Sequence, residues 1–251
     1  MLKINVISSS SRGNCFVLSD NKESIMIDCG LKYDQIYKLI DKEKLKGILI
    51  SHSHGDHFNC NTLKTINKCL YSNETTIRKA NSFCGEKVVL KTNEIAKIGG
   101  FNVLPFFVYH DVENYGYLIK HIESNHKIVF ITDSSTYSNL HFKDIDTFIV
   151  EANNSEKWLE QKEELDIKDK RTYGEFGHCS IEKTIEFLKE NVNHNTKNII
   201  LIHIASHYKE YKTFANMVKE LFPKINVYAI DPQHIGKNEF ILKEDIDIIF
   251  D

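Results

Sequence analysis

The chain has only three prolines and one tryptophan in 251 residues, and none of its six cysteines forms a C-x-x-C pair. The cysteines stand at positions 15, 29, 60, 69, 84 and 179. That spacing excludes a zinc knuckle and a thioredoxin-type redox pair. No apolar run approaches the roughly 18 residues of a membrane span. Met1-Leu2-Lys3-Ile4-Asn5 lacks the apolar stretch of a signal peptide. The expectation is a cytoplasmic protein with reduced thiols and no membrane partner. A strong charge excess is missing as well. The net charge of −3 argues against gripping nucleic acid by bulk positive charge, while leaving a local basic patch open. There is no P-loop, no glycine-rich dinucleotide fingerprint and no G-x-S-x-G elbow.

What is present is an ordinary globular composition, 27% charged and 41% hydrophobic, enough to bury a sizeable core. No repeat, low-complexity stretch or Pro/Gly linker divides the chain, so residues 1–251 read as one domain. The first half carries short β-prone runs: Leu2–Ile7, Cys15–Leu18, Ser24–Ile27, Gly47–Ile50, Val88–Leu90, Asn102–Val108, Tyr115–Lys120, Lys127–Ile131 and Thr147–Val150. Between them, Tyr33–Ile40 has helical spacing, with Ile36, Leu39 and Ile40 on one face. The second half alternates. Helices are predicted over Ser155 to about Leu165, Ser180–Asn191 and Tyr211–Leu221, with strands at Asn198–Ile202 and Ile225–Ile230. Ser180 is the expected N-cap of its helix. Strands followed by mixed strand and helix units indicate a layered α/β fold with helices outside.

Histidine is the compositional oddity, with twelve copies. Three of them fall in Ser51-His52-Ser53-His54-Gly55-Asp56-His57, directly after the apolar run Gly47–Ile50. Imidazole and carboxylate are ligands that suit zinc, manganese or iron. In extended backbone His52 and His54 point the same way. Asp56 and His57 follow a glycine that permits a sharp turn, so they can face a second metal. The loop sits at the carboxyl end of a buried strand, where α/β folds commonly place sites.

His52-x-His54-x-Asp56-His57 after an apolar strand resembles the signature of the metallo-β-lactamase superfamily. The resemblance implies a four-layer αβ/βα sandwich, a two-metal hydrolytic site and three further ligands in fixed order. Candidates stand in that order: His110 at the end of Asn102–Tyr109, Asp133 after Ile128–Thr132 as the bridging carboxylate, and His203 after Asn198–Ile202. His207, four positions on, competes with His203. Shorter segments are similar to the YycJ/WalJ group of that superfamily, related to RNase Z- and RNase J-type nucleases. They are Ile7–Cys15, Ile27-Asp28-Cys29-Gly30, Glu151-Ala152-Asn153, Gly177-His178-Cys179-Ser180 and Leu201-Ile202-His203-Ile204. The chain departs from the group after His203, where Ala205 precedes Ser206 and His207–Tyr211 replaces an acidic or asparagine-rich stretch.

The resemblance implies two divalent ions, zinc first and manganese second. His52, His54 and His110 would hold one, and Asp56, His57 and His203 the other, with Asp133 bridging. The expected activity is that of a nuclease in which a metal-activated hydroxide attacks a phosphodiester. Asp56 would also orient or deprotonate the water, and His178 would contact the phosphate or protonate the leaving oxygen. The alternative is a phosphodiesterase for small or cyclic nucleotides, which the missing basic excess favours. The partner is then a nucleic acid or nucleotide, and a homodimer is compatible with either reading. Three features stay open between site and scaffold. Asp28 could hold the histidine loop or merely close a turn. Ser8–Asn14 could contact phosphate or form a plain turn. Phe106, Phe107, Tyr109, Tyr115 and Tyr117 could stack on bases or fill the core.

Overall fold

Side chains that alternate along a strand give it two faces, and in this chain both faces are apolar on most strands. The computed structural model describes residues 1–157, 177–205 and 211–243. Their strands form two seven-stranded sheets. The first contains β1 (Leu2–Ser8), β2 (Cys15–Ser19), β3 (Ser24–Cys29), β4 (Leu45–Leu49), β5 (Leu70–Ser72), β6 (Lys87–Val89) and β14 (Glu239–Lys243). Its order is β14-β1-β2-β3-β4-β5-β6. The second contains β7 (Ala96–Ile98), β8 (Phe101–Val108), β9 (Asn114–His121), β10 (Lys127–Ile131), β11 (Thr147–Glu151), β12 (Asn198–Ile202) and β13 (Asn226–Ala229), in the order β13-β12-β11-β10-β9-β8-β7.

Period-two alternation sorts the core into three slabs. Ile25 and Ile27 of β3, Ile128 and Phe130 of β10, and Ile200 and Ile202 of β12 point between the sheets. There Phe16 meets Phe130 edge to face, ring centroids 5.0 Å apart. Met26 of β3 points outward against Ile36 of α1 (Tyr33–Ile36) and Leu63 and Ile66 of α2 (Cys60–Ile66). On the far side, Val129, Phe148, Val150 and Leu201 pack against Phe187 and Leu188 of α4 (Ile181–Asn191) and Phe214 and Val218 of α5 (Tyr211–Leu221). The layers therefore run helix, sheet, sheet, helix, the αβ/βα sandwich expected. Each Ile or Phe so buried contributes about 1.5–3 kcal/mol.

The differences from sequence expectation are local. The helix expected over Tyr33–Ile40 stops at Ile36, although Leu39 and Ile40 still pack on the same slab. The helices α2 and α3 (Glu74–Lys79) carry too few turns for periodicity to reveal them, yet Asn59 and Asn73 cap them through their side chains. Ser180 caps α4 as expected, accepting from the Lys183 backbone N–H. The helix predicted from Ser155 is described only at residues 156–157, and the rest of it lies outside the described residues. No helix among the described residues is long and apolar enough to cross a membrane.

Parallel pairing of β3 with β4, and of β10 with β11 and β12, sends the carboxyl ends of each set to one edge of its sheet. The histidine and acid residues singled out above collect at these ends.

Candidate metal centre

Asp28 belongs to β3, the His52–His57 loop follows β4, His110 follows β8, Asp133 follows β10, and His203 follows β12. Three of these residues have left-handed backbone: Asp28 at φ +56°, Asp133 at +51° and His203 at +52°. Such backbone in non-glycine residues stores strain and clusters where function constrains geometry. Here it turns each strand end so that the side chain projects into the shared cleft.

The structure gathers the other six sequence-derived ligand candidates around Asp133. Ligand atoms of His52, His54, His110 and Asp133 lie within 4.8 Å of one another, and so do those of Asp56, His57, Asp133 and His203. Asp133 divides its carboxylate between the groups. Its Oδ2 is 3.8 Å from both His52 Nε2 and His110 Nε2. Its Oδ1 is 3.1 Å from His57 Nε2 and 3.5 Å from His203 Nε2. His54 Nδ1 lies 3.3 Å from His110 Nε2, and Asp56 Oδ2 lies 3.5 Å from His57 Nε2. His207 lies outside the described residues.

Partners behind the imidazoles set which nitrogen faces inward. Asp28, fully buried, accepts from His57 Nδ1 at 2.7 Å and from Ser51 N–H at 2.8 Å and Ser51 Oγ–H at 2.9 Å. Ser51 Oγ in turn stands 3.0 Å from His52 Nδ1. One carboxylate thus orients two imidazoles, and Asp28 is a positioning group rather than a simple turn residue. The Nε2 atoms of His52 and His203 are buried without any hydrogen-bond partner. A buried polar nitrogen left without a partner is costly unless something binds it.

Glu151 entered the sequence reading only within the segment Glu151-Ala152-Asn153, with no role of its own. It ends the apolar β11 and is fully buried. Its Oε1 accepts from His178 Nδ1 at 2.6 Å and from His203 Nδ1 at 3.0 Å, while its Oε2 accepts the Ser134 N–H at 2.7 Å. The rings of His178 and His203 stack at 5.0 Å. His178 therefore joins the cluster, pinned through the Asn153 N–H to Cys179 C=O bond just before α4. The available signal was a carboxylate closing an otherwise apolar run.

Charge balance points the same way. Asp28, Asp133 and Glu151 are at most 2% exposed, and among the described residues no lysine or arginine forms an ion pair with them. The imidazoles carry the compensating charge. Burial disfavours the charged form of His57, but the carboxylates of Asp133, Asp28 and Asp56 overcome it and hold the ring well above its ordinary pKa. His203, opposed by burial and raised by Asp133, Asp56 and Glu151, is pushed up to about 10. Asp133 is buried too, yet His203 and His57 hold it well below the usual carboxylate range. His52 goes the other way, with burial and then His57 keeping it neutral. Orphaned nitrogens, buried carboxylates with no lysine or arginine partner among the described residues, and a histidine–carboxylate donor set together fit divalent cations, which would displace the imidazole protons on binding.

The turn role expected of the glycine before Asp56 is not borne by Gly55. A Cβ on Gly55 would meet nothing within 4 Å, and Gly55 has no positive φ. The turn before Asp56 therefore does not require glycine. Gly30 does the work instead. A Cβ there would lie 1.7 Å from Asp56 O, and Gly30, Asn14 and Asp56 are laced together by the Gly30 N–H to Asn14 C=O and Asn14 N–H to Asp56 C=O bonds. The Ser8–Asn14 segment is likewise more than a turn, since Ser9 Oγ accepts the His203 N–H at 2.8 Å and Asn14 Nδ2 lies 2.9 Å from His57 Nε2.

Comparison with known proteins agrees with this geometry. The beta-lactamase superfamily domain matches residues 23–204. The chain is similar to exodeoxyribonuclease WalJ of Streptococcus pneumoniae, with 25% identity over 236 residues, 87% of this chain and 84% of that one. It is also similar to exodeoxyribonuclease YycJ of Bacillus anthracis, 23% identical over 219 residues, 81% of this chain and 83% of the relative. Among solved structures, the metallo-beta-lactamase fold protein YhfI of Bacillus subtilis superposes with a TM-score of 0.73 at 16% identity, covering 95% of this chain and 98% of its own.

Proposed function

This chain belongs to the beta-lactamase superfamily, and we propose that it is a metal-dependent nuclease that hydrolyses phosphodiester bonds of DNA. The carrying observation is the division of Asp133 between two ligand groups, with the buried Nε2 atoms of His52 and His203 left unpartnered beside it. The exodeoxyribonuclease relatives supply the polymer. His52, His54 and His110 would hold one divalent ion, zinc or manganese, and Asp56, His57 and His203 a second, with Asp133 shared. Ions bound there supply Lewis acidity: they acidify water and offset charge on phosphoryl oxygens.

The chain's own residues contribute position and protons. Asp28 and Ser51 fix the orientation of His57 and His52 from behind. Asp56, part-exposed at the mouth of the cleft, is the carboxylate available to orient water. His178 has its Nδ1 committed to Glu151. Its Nε2 is the atom that carries a proton to the leaving oxygen. Burial opposes the imidazolium, but Glu151 raises the His178 pKa above its ordinary value, which keeps that proton in place. Such a general acid is worth about 10²–10⁴-fold.

The test is hydrolysis of labelled DNA by the zinc- or manganese-loaded protein, with the salt dependence of substrate affinity measured alongside. Cleavage with a steep log–log salt slope is expected for a polymer that contacts several phosphates. Cleavage confined to small or cyclic nucleotides, with a shallow slope, overturns the DNA assignment. No phosphodiester hydrolysis at all overturns the nuclease reading.

A further inference from the structure

Of the five aromatics near the end of β8 and the start of β9, three are committed to the core. Tyr117 is fully buried and donates its hydroxyl to Ile50 C=O. Tyr115 is 8% exposed in the slab between the sheets. Phe106 packs on Phe142 with centroids 5.1 Å apart. Phe107 and Tyr109 differ, being 49% and 50% exposed. They stand two residues apart at the end of β8, their ring planes at 85° and centroids at 5.3 Å. Tyr109 directly precedes the ligand candidate His110.

The pair is tied to the cleft and to a cation. The Ser135 N–H, two residues after Asp133, donates to Tyr109 C=O at 2.9 Å. Lys183 Nζ, exposed on the first turn of α4, donates to Ser135 C=O at 3.3 Å. Ser135, two residues from the shared carboxylate, is therefore bonded both to the backbone of Tyr109 and to the Lys183 ammonium group. On a chain of net charge −3, short-range contacts must supply what bulk charge does not. Aromatic faces beside a lysine are how proteins hold unpaired nucleotides: the ring stacks on the base and the cation meets the phosphate. A paired base within a duplex has both faces covered and cannot use such a surface.

We propose that Phe107 and Tyr109 form a stacking platform for an unpaired DNA base next to the scissile phosphate, with Lys183 contacting an adjoining phosphate. The platform rests on the nuclease reading above and names its substrate as an unpaired strand or strand end. It also accounts for two large aromatics left in solvent next to the ligand candidate His110.

The test measures binding rather than turnover, so it stands apart from the nuclease test. A fluorescent single-stranded oligodeoxynucleotide is titrated with chelator-treated protein, alongside the same strand carrying abasic tetrahydrofuran residues. Wild type is expected to prefer the base-bearing strand. Phe107→Leu and Tyr109→Leu should each weaken that strand by about tenfold and leave the abasic strand unchanged. Tyr109→Phe should restore the preference. Lys183→Gln should weaken both strands alike, because the phosphate is common to them. Equal binding of the two strands by wild type, or leucine variants that weaken both equally, overturns the platform.

Discussion

Replacing Asp28 with asparagine isolates how far metal affinity depends on a residue that never touches the ion. Asp28 accepts three hydrogen bonds, from His57 Nδ1 and from the backbone and hydroxyl of Ser51, and Ser51 Oγ relays the same constraint to His52 Nδ1. One imidazole of each proposed ligand group is therefore set by one carboxylate. In Asp28→Asn the amide oxygen can keep the Ser51 N–H, but the amide nitrogen faces His57 Nδ1 and donates. The His57 proton moves to Nε2, the atom 3.1 Å from Asp133 Oδ1. Loss of such an outer partner costs about 10–100-fold in metal affinity or activity, equivalent to about 1.4–2.7 kcal/mol. The backbone tolerates the change, since φ +56° suits asparagine as well as aspartate. Tm should move by no more than about 4 °C. Asp28→Ala is the harsher control, leaving buried donors unsatisfied at about 1–3 kcal/mol each. The assay is titration of metal-free protein with zinc against a chromophoric chelator, with thermal unfolding followed by circular dichroism. A folded Asp28→Asn protein that binds zinc as tightly as wild type would refute the orienting role.

Other outcomes follow from single contacts. Glu151→Gln removes the charge that raises His178 and should lower kcat by about 10²-fold or more, while metal content measured by mass spectrometry stays within the His203 contribution. An unchanged kcat contradicts the proton-carrying role. Gly30→Ala drives a methyl into the Asp56 backbone and should cost about 1–3 kcal/mol in urea unfolding, whereas Gly55→Ala, facing open space, should be silent. Equal effects of the two contradict the assigned roles. His126, far from the cleft and bonded to Thr147 Oγ1, is pushed down to about 4 chiefly by burial. Its folded pKa lies below the unfolded value of about 6.5. The unfolded chain thus takes up the proton first as pH falls, and stability present above pH 6.5 is lost progressively toward pH 4. The loss is on the order of 3 kcal/mol, and urea unfolding of His126→Gln at both pH values should lack it.

How much of this was legible depended on whether a feature lives in local spacing or in tertiary contact. The runs Lys127–Ile131 and Asn198–Ile202 and the helix Tyr211–Leu221 coincide with the observed elements, because unbroken apolar runs mark the two strands and a three-turn apolar period marks the helix. The short helices α2 and α3 carry too few turns for a helical period, and β5 is a three-residue strand without an apolar run. The histidine loop was readable because its ligands are adjacent in sequence. Glu151 was not, because its meaning comes from His178 and His203, which lie 27 and 52 positions away. Gly30 was hidden for the same reason, its neighbour being the backbone of Asp56. Phe107 and Tyr109 resemble core strand residues in sequence, and only their position at the end of β8 leaves them in solvent.

The most direct measurement is the metal-to-protein ratio of purified wild type, His54→Ala and Asp133→Ala, with each variant's fold checked by circular dichroism. Wild type is expected to bind two divalent ions per chain. His54→Ala should lose the ion of its own group, and Asp133→Ala should weaken both, with hydrolysis of DNA falling in each. A folded pair of variants that keep full metal stoichiometry and full activity would contradict a centre organised around Asp133.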